Sequence, residues 1–324
     1  MIEKIRWFFA KALKDSVLLS KLYNTYFRVK NKNKFLREID ERCRLSIFDI
    51  EKLAAELPYY PIEEVKDSNF YGYAYHIKKY ADVQRCLYAY EHGLYNDDYI
   101  MPHNNLKTTK GVLTFNEIRC ELLKSKTGKP AYAIGPYIHY ADSLLNEKEI
   151  QDLKKDLGKT LLFFPSHSCV ELTAEYNDDA VINEVKQFAK EHGFDTVLVN
   201  LFYYDVLYKN YADAYRNAGF KLSTAGHRYD LNFVSRLKSI IMLSDYVVGN
   251  DFGTNIGYCI YLNKPFYILK NNMLDGKKGM FRQIGDIFTI YSESITKEQY
   301  EICAKYWGFN SIKNKEELKS IINK

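Results

Sequence analysis

The chain of 324 residues lacks the cysteine patterns of disulfide frameworks and zinc sites. Its six cysteines are widely spaced and form no CxxC pair, which predicts reduced, buried thiols in a cytoplasmic protein. No run approaches the roughly 18 apolar residues that a membrane-spanning helix requires. Lysines interrupt the apolar residues of the N-terminal segment, which argues against a signal peptide.

Positive charge is in small excess, with 46 Lys and Arg against 41 Asp and Glu. Residues 1–44 hold 12 of the basic and 5 of the acidic residues, so the other 280 are close to neutral. A nucleic-acid binder usually concentrates positive charge on the face that holds its ligand. The distribution therefore predicts no nucleic-acid partner and favours attachment of the N-terminal segment to an acidic membrane surface.

Hydrophobic residues make up 47% of the chain, which is ample for a sizeable core and excludes global disorder. Tyrosine is in excess, and ten of the 29 tyrosines lie in residues 59–99. Tyrosine combines apolar area with a hydroxyl group and suits a half-wet cleft that holds polar ligands. The alternative is the coding bias of an AT-rich genome.

Apolar side chains recur with helical spacing in residues 2–27, and lysines project from the other face. Such a helix can lie in the interface of an anionic membrane, with residues 2–28 as the contact. The alternative is a helix docked on its own domain with solvated lysines. A second helix is predicted over residues 39–57, before Pro58 and Pro61.

The rest of the chain alternates strand and helix patterns. Strand candidates in the first half are residues 70–77, 85–90, 112–115 and 131–134, and a charged helix over residues 146–159 follows them. Strand candidates in the second half are residues 160–164, 196–202, 220–223, 246–249 and 266–269. Helices are predicted over residues 178–192, 209–217, 232–243 and 254–262, and in the tail over residues 279–287, 297–307 and 315–323.

This alternation predicts an α/β fold of two domains, with a parallel, doubly wound sheet in the second half. We expect N-terminal helices in residues 1–57, a first α/β domain in residues 58–150, and a second in residues 151–324 that ends in helices. In parallel sheets of this kind, ligands bind at the carboxyl ends of the strands.

Two polar groups follow strands of the second domain. Ser166, His167 and Ser168 can donate to phosphate oxygens or to a sugar, although one of the serines could instead cap a helix. His227 and Arg228 follow a later strand, and arginine is well suited to a bidentate phosphate contact. The alternative for the arginine is an ordinary surface ion pair with the acidic residue two positions on.

The most specific signal is the sequence SDYVVGNDFGTNIG, in which a strand, a glycine-bearing loop and a helix start follow in succession. Backbone N–H groups and the helix dipole can bind an anion there, with Gly253, Thr254 and Asn255 as the phosphate-binding residues. The motif is neither a P-loop nor GxGxxG, so it supports neither an ATPase nor a standard dinucleotide fold. The alternative is an ordinary βα turn.

These residues carry a resemblance. SDYVVGNDFGTNIGYCIYLNKPFYIL resembles the donor-phosphate segment of GT-B-type glycosyltransferases, and GKTLLFFPSHS resembles the first strand of their donor domain. With GHRYD, EHGLY and GPYIHYA, the chain is similar to uncharacterised glycosyltransferases of bacterial capsule and O-antigen clusters over roughly residues 85–270. The resemblance implies two Rossmann-like domains, with the N-terminal amphipathic helix and the C-terminal helices predicted above. It also implies that residues 151–324 bind a nucleotide sugar and that residues 58–150 face the acceptor. Tyr258 and Cys259 stand where many such domains have a ribose-binding glutamate.

The sequence contains no Asp-x-Asp motif of the kind that holds a divalent metal in the other glycosyltransferase fold. Arg228 and the Gly253–Asn255 turn could neutralise the leaving phosphate instead. We therefore predict metal-independent chemistry without a cofactor beyond the nucleotide-sugar co-substrate.

Glu91 and His92 follow a strand of the first domain and are the candidates for the base that deprotonates the acceptor hydroxyl. A histidine before a glycine is also common as a hydrogen-bonded turn residue. His103 and His139 are weaker candidates for the base. Tyr137, His139 and Tyr140 are the candidates for lining the acceptor side, and packing is the alternative for the tyrosines.

The leading hypothesis is a cytoplasmic glycosyltransferase that acts at the inner face of the plasma membrane. It would move a sugar from a nucleotide sugar to a surface-polysaccharide or lipid-linked glycan. The alternatives are a sugar-nucleotide 2-epimerase or polyol-phosphate transferase of the same architecture, and a scaffold that binds nucleotide sugars without catalysis.

Overall fold

The computed structural model describes residues 16–95, 98–101, 104, 107–168, 178–209, 211–269 and 279–324. Its first part contains α1 (Val17–Cys43), α2 (Ile50–Ala54), α3 (Tyr73–Ala81), β1 (Tyr88–Tyr90), β2 (Gly111–Thr114), α4 (Glu117–Thr127), β3 (Ala131–Ala133) and α5 (Glu147–Leu157). Its second part contains β4 (Thr160–Phe164), α6 (Asp178–Glu191), β5 (Thr196–Asn200), α7 (Tyr203–Tyr208), α8 (Tyr211–Asn217), β6 (Lys221–Ser223), α9 (Phe233–Leu243), β7 (Tyr246–Gly249), α10 (Asn255–Tyr261), β8 (Phe266–Ile268), α11 (Gly279–Phe288), α12 (Lys297–Tyr306) and α13 (Lys315–Asn323).

The strands form two parallel sheets. We call the part up to Leu157 the first unit and the part from Thr160 onward the second unit. The sheet of the first unit has the strand order β1-β2-β3, and that of the second unit has the order β6-β5-β4-β7-β8. The predicted fold class, α/β with two Rossmann-like units, is confirmed. The strands of the second unit begin within one residue of their predicted starts, because buried parallel strands read as continuous apolar runs.

Residues 70–77 form no strand, contrary to the prediction. Tyr71 and Gly72 have φ angles of 62° and 69°, in the left-handed region that a strand cannot contain. A Cβ at Gly72 would lie 2.1 Å from the Leu231 carbonyl oxygen, so this corner packs directly against the second unit. The chain then continues as α3, whose buried residues follow a helical period.

The N-terminal helices also differ from the prediction. α1 runs on to Cys43, and residues 1–15 of the predicted first helix lie outside the described residues. The apolar residues predicted to share one face are divided: Tyr23 and Phe27 pack against Tyr59, with ring centroids 6.1 and 5.6 Å away. Leu22 is exposed on the other side of the helix.

The two units share one hydrophobic core. It contains Leu113 and Ile134 of the first unit together with Leu162 and Val247 of the second. The C-terminal helices, which the sequence assigned to the second domain, also reach the first unit. The Asn116 side chain donates to the carbonyl of Tyr306 at 2.6 Å.

Two further sequence expectations concern membranes and thiols. No helix within the described ranges is both long and apolar enough to cross a bilayer. Cys43 is an exposed free thiol, which corrects the expectation of uniformly buried cysteines. Cys86, Cys120, Cys259 and Cys303 are free and buried, and Cys169 lies outside the described residues.

Trp307 packs against the start of α10. Its buried ring packs flat on Gly257, where a Cβ would lie 2.2 Å from two ring carbons. Its Nε1 donates to the carbonyl of Thr254 at 2.9 Å. Glycine is therefore required within α10 because the tryptophan occupies the space of a side chain.

We expect Gly257→Ala to lower the free energy of unfolding by about 1–2 kcal/mol, since overpacking costs more than the helix propensity that alanine gains. Urea unfolding measures the change. The variant Trp307→Leu leaves room for the added methyl group, so the double variant should be more stable than the sum of the two single losses predicts. Strictly additive losses would contradict the clash.

His76 joins α3 to the second unit. Its Nε2 lies 3.0 Å from the Leu231 carbonyl oxygen and 3.1 Å from the Ser235 hydroxyl. The carbonyl can only accept, so Nε2 carries the proton in the neutral ring. Burial lowers the pKa of His76 from 6.5 to about 4.

Because the unfolded chain binds this proton more tightly, the stability that neutral His76 contributes is complete above pH 6.5 and is lost as the pH falls toward 4. His76→Gln keeps an amide donor for the carbonyl but does not titrate. We expect the unfolding free energy of the native protein, relative to this variant, to fall by up to about 3 kcal/mol between pH 7 and pH 4. Urea unfolding at several pH values tests this, and a pH-independent difference would refute it.

Candidate functional site

The carboxyl ends of the two sheets converge on Tyr71. Its ring centroid lies 6.2 Å from that of His92, after β1, and 6.4 Å from that of Phe202, after β5. His167, after β4, stacks on Phe202 at 4.4 Å. Two histidines predicted on separate domains therefore face one row of rings. We call this row the aromatic cleft; it consists of Phe70, Tyr71, Phe202, Tyr203 and Tyr229.

Arg228 is the cation of the aromatic cleft. Its guanidinium carbon lies 5.0 Å from the ring centroid of Phe70, 5.6 Å from that of Tyr229 and 5.9 Å from that of Tyr203. A guanidinium stacked in this way keeps its charge and has few orientations available to it. The side chain is half-buried, so one part is held by rings and another part remains accessible.

A buried ion pair fixes the loop that carries Arg228. Asp230 accepts from Nη1 of Arg236 at 2.9 Å, and both side chains are fully buried. Asp230 is therefore not the surface partner that the alternative for Arg228, an ordinary surface ion pair, required. Gly226 has a φ of 97°, and a Cβ there would lie 2.8 Å from the same Nη1. The loop folds tightly around the arginine.

His227 points inward from the same loop. Its Nδ1 accepts from the backbone N–H of Tyr229 at 3.2 Å, and its ring lies 4.3 Å from that of Tyr203. Burial lowers the pKa of His227, although the nearby Glu56 opposes the effect. The neutral ring thus supports the loop. Its role in donor binding stays a prediction, and its burial weighs against direct contact with a ligand.

The loop after β4 is tied to its neighbours by side chains. Ser166 donates its N–H to the Asn250 side chain at 2.5 Å and its hydroxyl to Asp251 at 3.0 Å. The N–H of Ser168 donates to Asp205 at 3.1 Å. The two serines, predicted to bind phosphate, already donate within the protein, and that role stays a prediction. Their bonds hold the backbone that presents the histidine between them.

The predicted phosphate turn lies at the start of α10. Gly253, Thr254 and Asn255 are half-buried there. The Asn255 side chain folds over the glycine, where a Cβ would lie 2.2 Å from its oxygen. The hydrogen bond from Trp307 to the carbonyl of Thr254 holds this turn in place. Its contact with phosphate stays a prediction.

Glu91 is engaged by donors on both oxygens. It accepts from the Asn104 amide at 3.0 Å, from the Thr114 hydroxyl at 2.8 Å, and from Nε and Nη2 of Arg119 at 3.0 and 2.8 Å. Its side chain is 1% exposed. A base must reach the proton that it removes, so this geometry weighs against Glu91 and favours His92 of the two candidates. The assignment of the base stays a prediction.

Of the residues predicted to line the acceptor side, Tyr137 and Tyr140 pack in the interior and His139 is half-buried. The hydroxyl of Tyr137 donates to the carbonyl of Leu113 at 2.9 Å, and that of Tyr140 to the carbonyl of Ile134 at 2.5 Å. His139 lies 2.6 Å from the Tyr261 hydroxyl, at Nδ1. Their acceptor role stays a prediction, against which these contacts weigh. His103 lies outside the described residues.

A cavity of about 530 Å³ lies between the first unit and the C-terminal helices. Its walls include Tyr95, Ile118, Arg119, Leu122, Met280 and Tyr306. Tyr95 also contacts His92, with ring centroids 6.4 Å apart, so the cavity adjoins the aromatic cleft.

Tyr71 and Phe202 are the central residues that the sequence did not reveal. Tyr71 lay in a segment predicted as a strand, where alternate residues would have faced away from each other. Phe202 was placed at the end of a strand, whereas β5 ends two residues earlier. Within the described ranges, His, Cys, Asp and Glu side chains form no group of three that could hold a metal ion. That the chemistry needs no metal stays a prediction.

No protein-family model matches the sequence, and no curated protein matches it. The structure is similar to UDP-GlcNAc 2-epimerase from Neisseria meningitidis bound to UDP-GlcNAc, at 16% identity and a TM-score of 0.37, over 67% of this chain and 61% of that chain. It is also similar to two variants of the wall teichoic acid polymerase TagF, at 13% identity and a TM-score of 0.34, over 67% of this chain and 53% of theirs. The chain thus spans less than two thirds of each of these proteins.

We expect Glu91→Gln to lower the free energy of unfolding by about 3–5 kcal/mol, because it leaves the buried Arg119 without a counter-charge. Glu121→Gln removes an exposed carboxylate of α4 that pairs with Lys124, and should change stability by less than about 1 kcal/mol. Urea unfolding compares the two variants. Equal stabilities of the Glu91 variant and the native protein would show that the pair has no structural role.

Proposed function

We propose that the protein is a GT-B-like glycosyltransferase that moves a sugar from a nucleotide sugar to a surface-polysaccharide or lipid-linked glycan. The observation that carries this proposal is the aromatic cleft, where a ring-stacked arginine and two histidines meet at the carboxyl ends of two parallel sheets. Ligands of such sheets bind at that edge. Aromatic rings suit a base or a sugar, and the guanidinium suits a diphosphate.

In this proposal the second unit holds the donor. Arg228 contacts the diphosphate and stabilises the charge that develops on the leaving phosphate. No divalent metal is needed for that step, since a fixed cation is already oriented by three rings. His167, exposed on the Phe202 ring, is placed to contact the sugar or the phosphate.

The first unit supplies the base and the acceptor site. His92 is half-buried beside Phe70, at 5.3 Å between ring centroids. It takes the proton of the acceptor hydroxyl as the new glycosidic bond forms and the nucleotide leaves. The cavity beside Tyr95 is the acceptor pocket, because Tyr95 forms part of its wall and also contacts His92.

The test measures binding and turnover of a panel of nucleotide sugars in the presence of EDTA. We expect Arg228→Gln to weaken donor binding about tenfold or more, the size of one or two charge-assisted hydrogen bonds. We expect His92→Gln to bind the donor normally and to lose about 10²- to 10⁴-fold in turnover. Arg216→Gln, which removes an exposed arginine paired with Glu51 and Asp213, is the matched control and should change neither quantity.

The products separate the remaining functions. Transfer to a glycan, or slow hydrolysis of the donor, supports a transferase. Release of a free 2-epimer would instead indicate an epimerase, and transfer of a polyol phosphate would indicate a polyol-phosphate transferase. Tight binding without turnover would indicate a scaffold. Donor binding that is unchanged in Arg228→Gln would overturn the assigned donor site.

A further inference from the structure

The inward face of helix α1 combines aromatic rings, among them the buried Phe35, with polar side chains that donate to backbone carbonyls. The Asn24 amide donates to the carbonyl of Glu64 at 2.9 Å, and the Asn31 amide to that of Tyr59 at 2.7 Å. Between them, Nε of Arg28 donates to the carbonyl of Pro61 at 2.7 Å. These three side chains lie three and four residues apart and so share one face of the helix.

The opposite face carries several exposed apolar side chains, with the exposed polar residue Asn33 among them. Val29 is 79% exposed, Leu18 68% and Leu22 57%. At 3.6 residues per turn these residues project from one side of the helix, away from the docked asparagines. Together with Tyr26 and Leu36, which are also exposed, they form a surface that we call the apolar stripe. In a globular protein the apolar residues of a helix normally face inward, as Phe35 of α1 does, so this cluster of exposed apolar residues is unusual.

The charges beside the apolar stripe have one sign. Residues 17–37 contain six basic residues and no acidic residue. Lys21 and Lys32 flank the stripe on one side, and Lys30 and Lys34 on the other, and all four are exposed. A second copy of this helix would bring these lysines close to one another, and a nucleic acid would leave the apolar residues in water. An anionic bilayer can accept both groups, because its acyl boundary takes apolar side chains and its headgroups take lysines.

We propose that the apolar stripe docks onto an anionic lipid surface, with α1 lying in the plane of the headgroups. The leucine, valine and tyrosine side chains enter the acyl boundary, and the flanking lysines pair with lipid phosphates or carboxylates. The docking does not depend on the proposed transfer reaction. Its use, to bring the cleft to a lipid-linked acceptor, rests on that function.

The docked helix would orient the cleft. The Tyr59 hydroxyl donates to the Asn24 side chain at 3.3 Å, and the Tyr59 ring lies 5.4 Å from that of Tyr229. Tyr229 in turn stacks beside Arg228. A short chain of contacts therefore connects the lipid-facing helix to the cation of the aromatic cleft.

The test is sedimentation of the full chain with vesicles of phosphatidylcholine alone or with added phosphatidylglycerol. We expect binding to the anionic vesicles that weakens as salt is raised. The triple variant Leu18→Gln, Leu22→Gln, Val29→Gln should bind at least tenfold more weakly. Ile290→Gln, at a residue 67% exposed far along the chain, is the matched control and should bind as the native protein does.

Two double variants test whether the lysines beside the apolar stripe contribute to vesicle binding. Lys21→Gln with Lys32→Gln should weaken binding, whereas Lys148→Gln with Lys190→Gln, two exposed lysines on other helices, should not. Sedimentation of the triple variant equal to that of the native protein, or equal binding to neutral and anionic vesicles, would overturn the proposal. So would a dimer of the native chain in the absence of lipid that the triple variant abolishes. Donor turnover in solution should be unchanged in the triple variant, so failure of the docking and failure of the proposed function give different results.

Discussion

The buried ion pair between Asp230 and Arg236 is the contact on which the rest of the structure depends. The arginine also donates to the carbonyl of Ala225 at 2.6 Å and to that of Arg42, at the end of α1, at 3.3 Å. One guanidinium therefore joins the loop of the aromatic cleft, the start of α9 and the N-terminal helix. A buried charge left without its partner is costly, so these three elements hold one arrangement.

The left-handed corner at Tyr71 is the second constraint. Its N–H donates to the carbonyl of Arg228 at 2.7 Å, and its carbonyl accepts from Val234 at 3.2 Å. These bonds to the second unit compensate for a backbone conformation that a tyrosine rarely adopts. The result is a ring from the first unit inserted between His92 and Phe202. The cleft is thus built by the contact between the units, and each unit alone contains only part of it.

The sequence predicted the second sheet well and the cleft only in part. Buried strands such as Thr160–Phe164 are short apolar runs whose limits follow from local pattern alone. Arg228 and His92 were candidates because they follow strands, and the structure places both beside Phe70. The buried contacts of Glu91 could not be predicted from the sequence, because its partners Asn104 and Arg119 lie 13 and 28 residues away in the chain. Arg236 was equally hidden, since an arginine within an apolar helix gives no sign of a buried partner six residues earlier.

The outward apolar stripe of α1 follows from the segment on which the helix docks. Residues 59–64 are irregular, and the carbonyls of Tyr59, Pro61 and Glu64 receive no partner from a sheet or helix of their own. Backbone carbonyls removed from water require donors, and α1 provides them through Asn24, Arg28 and Asn31. Once Phe35 and these polar residues define the inward face, the helical period places Leu18, Leu22 and Val29 outward. The hydrogen bonds that stabilise the docked helix thereby also determine which surface of the protein is available to a membrane.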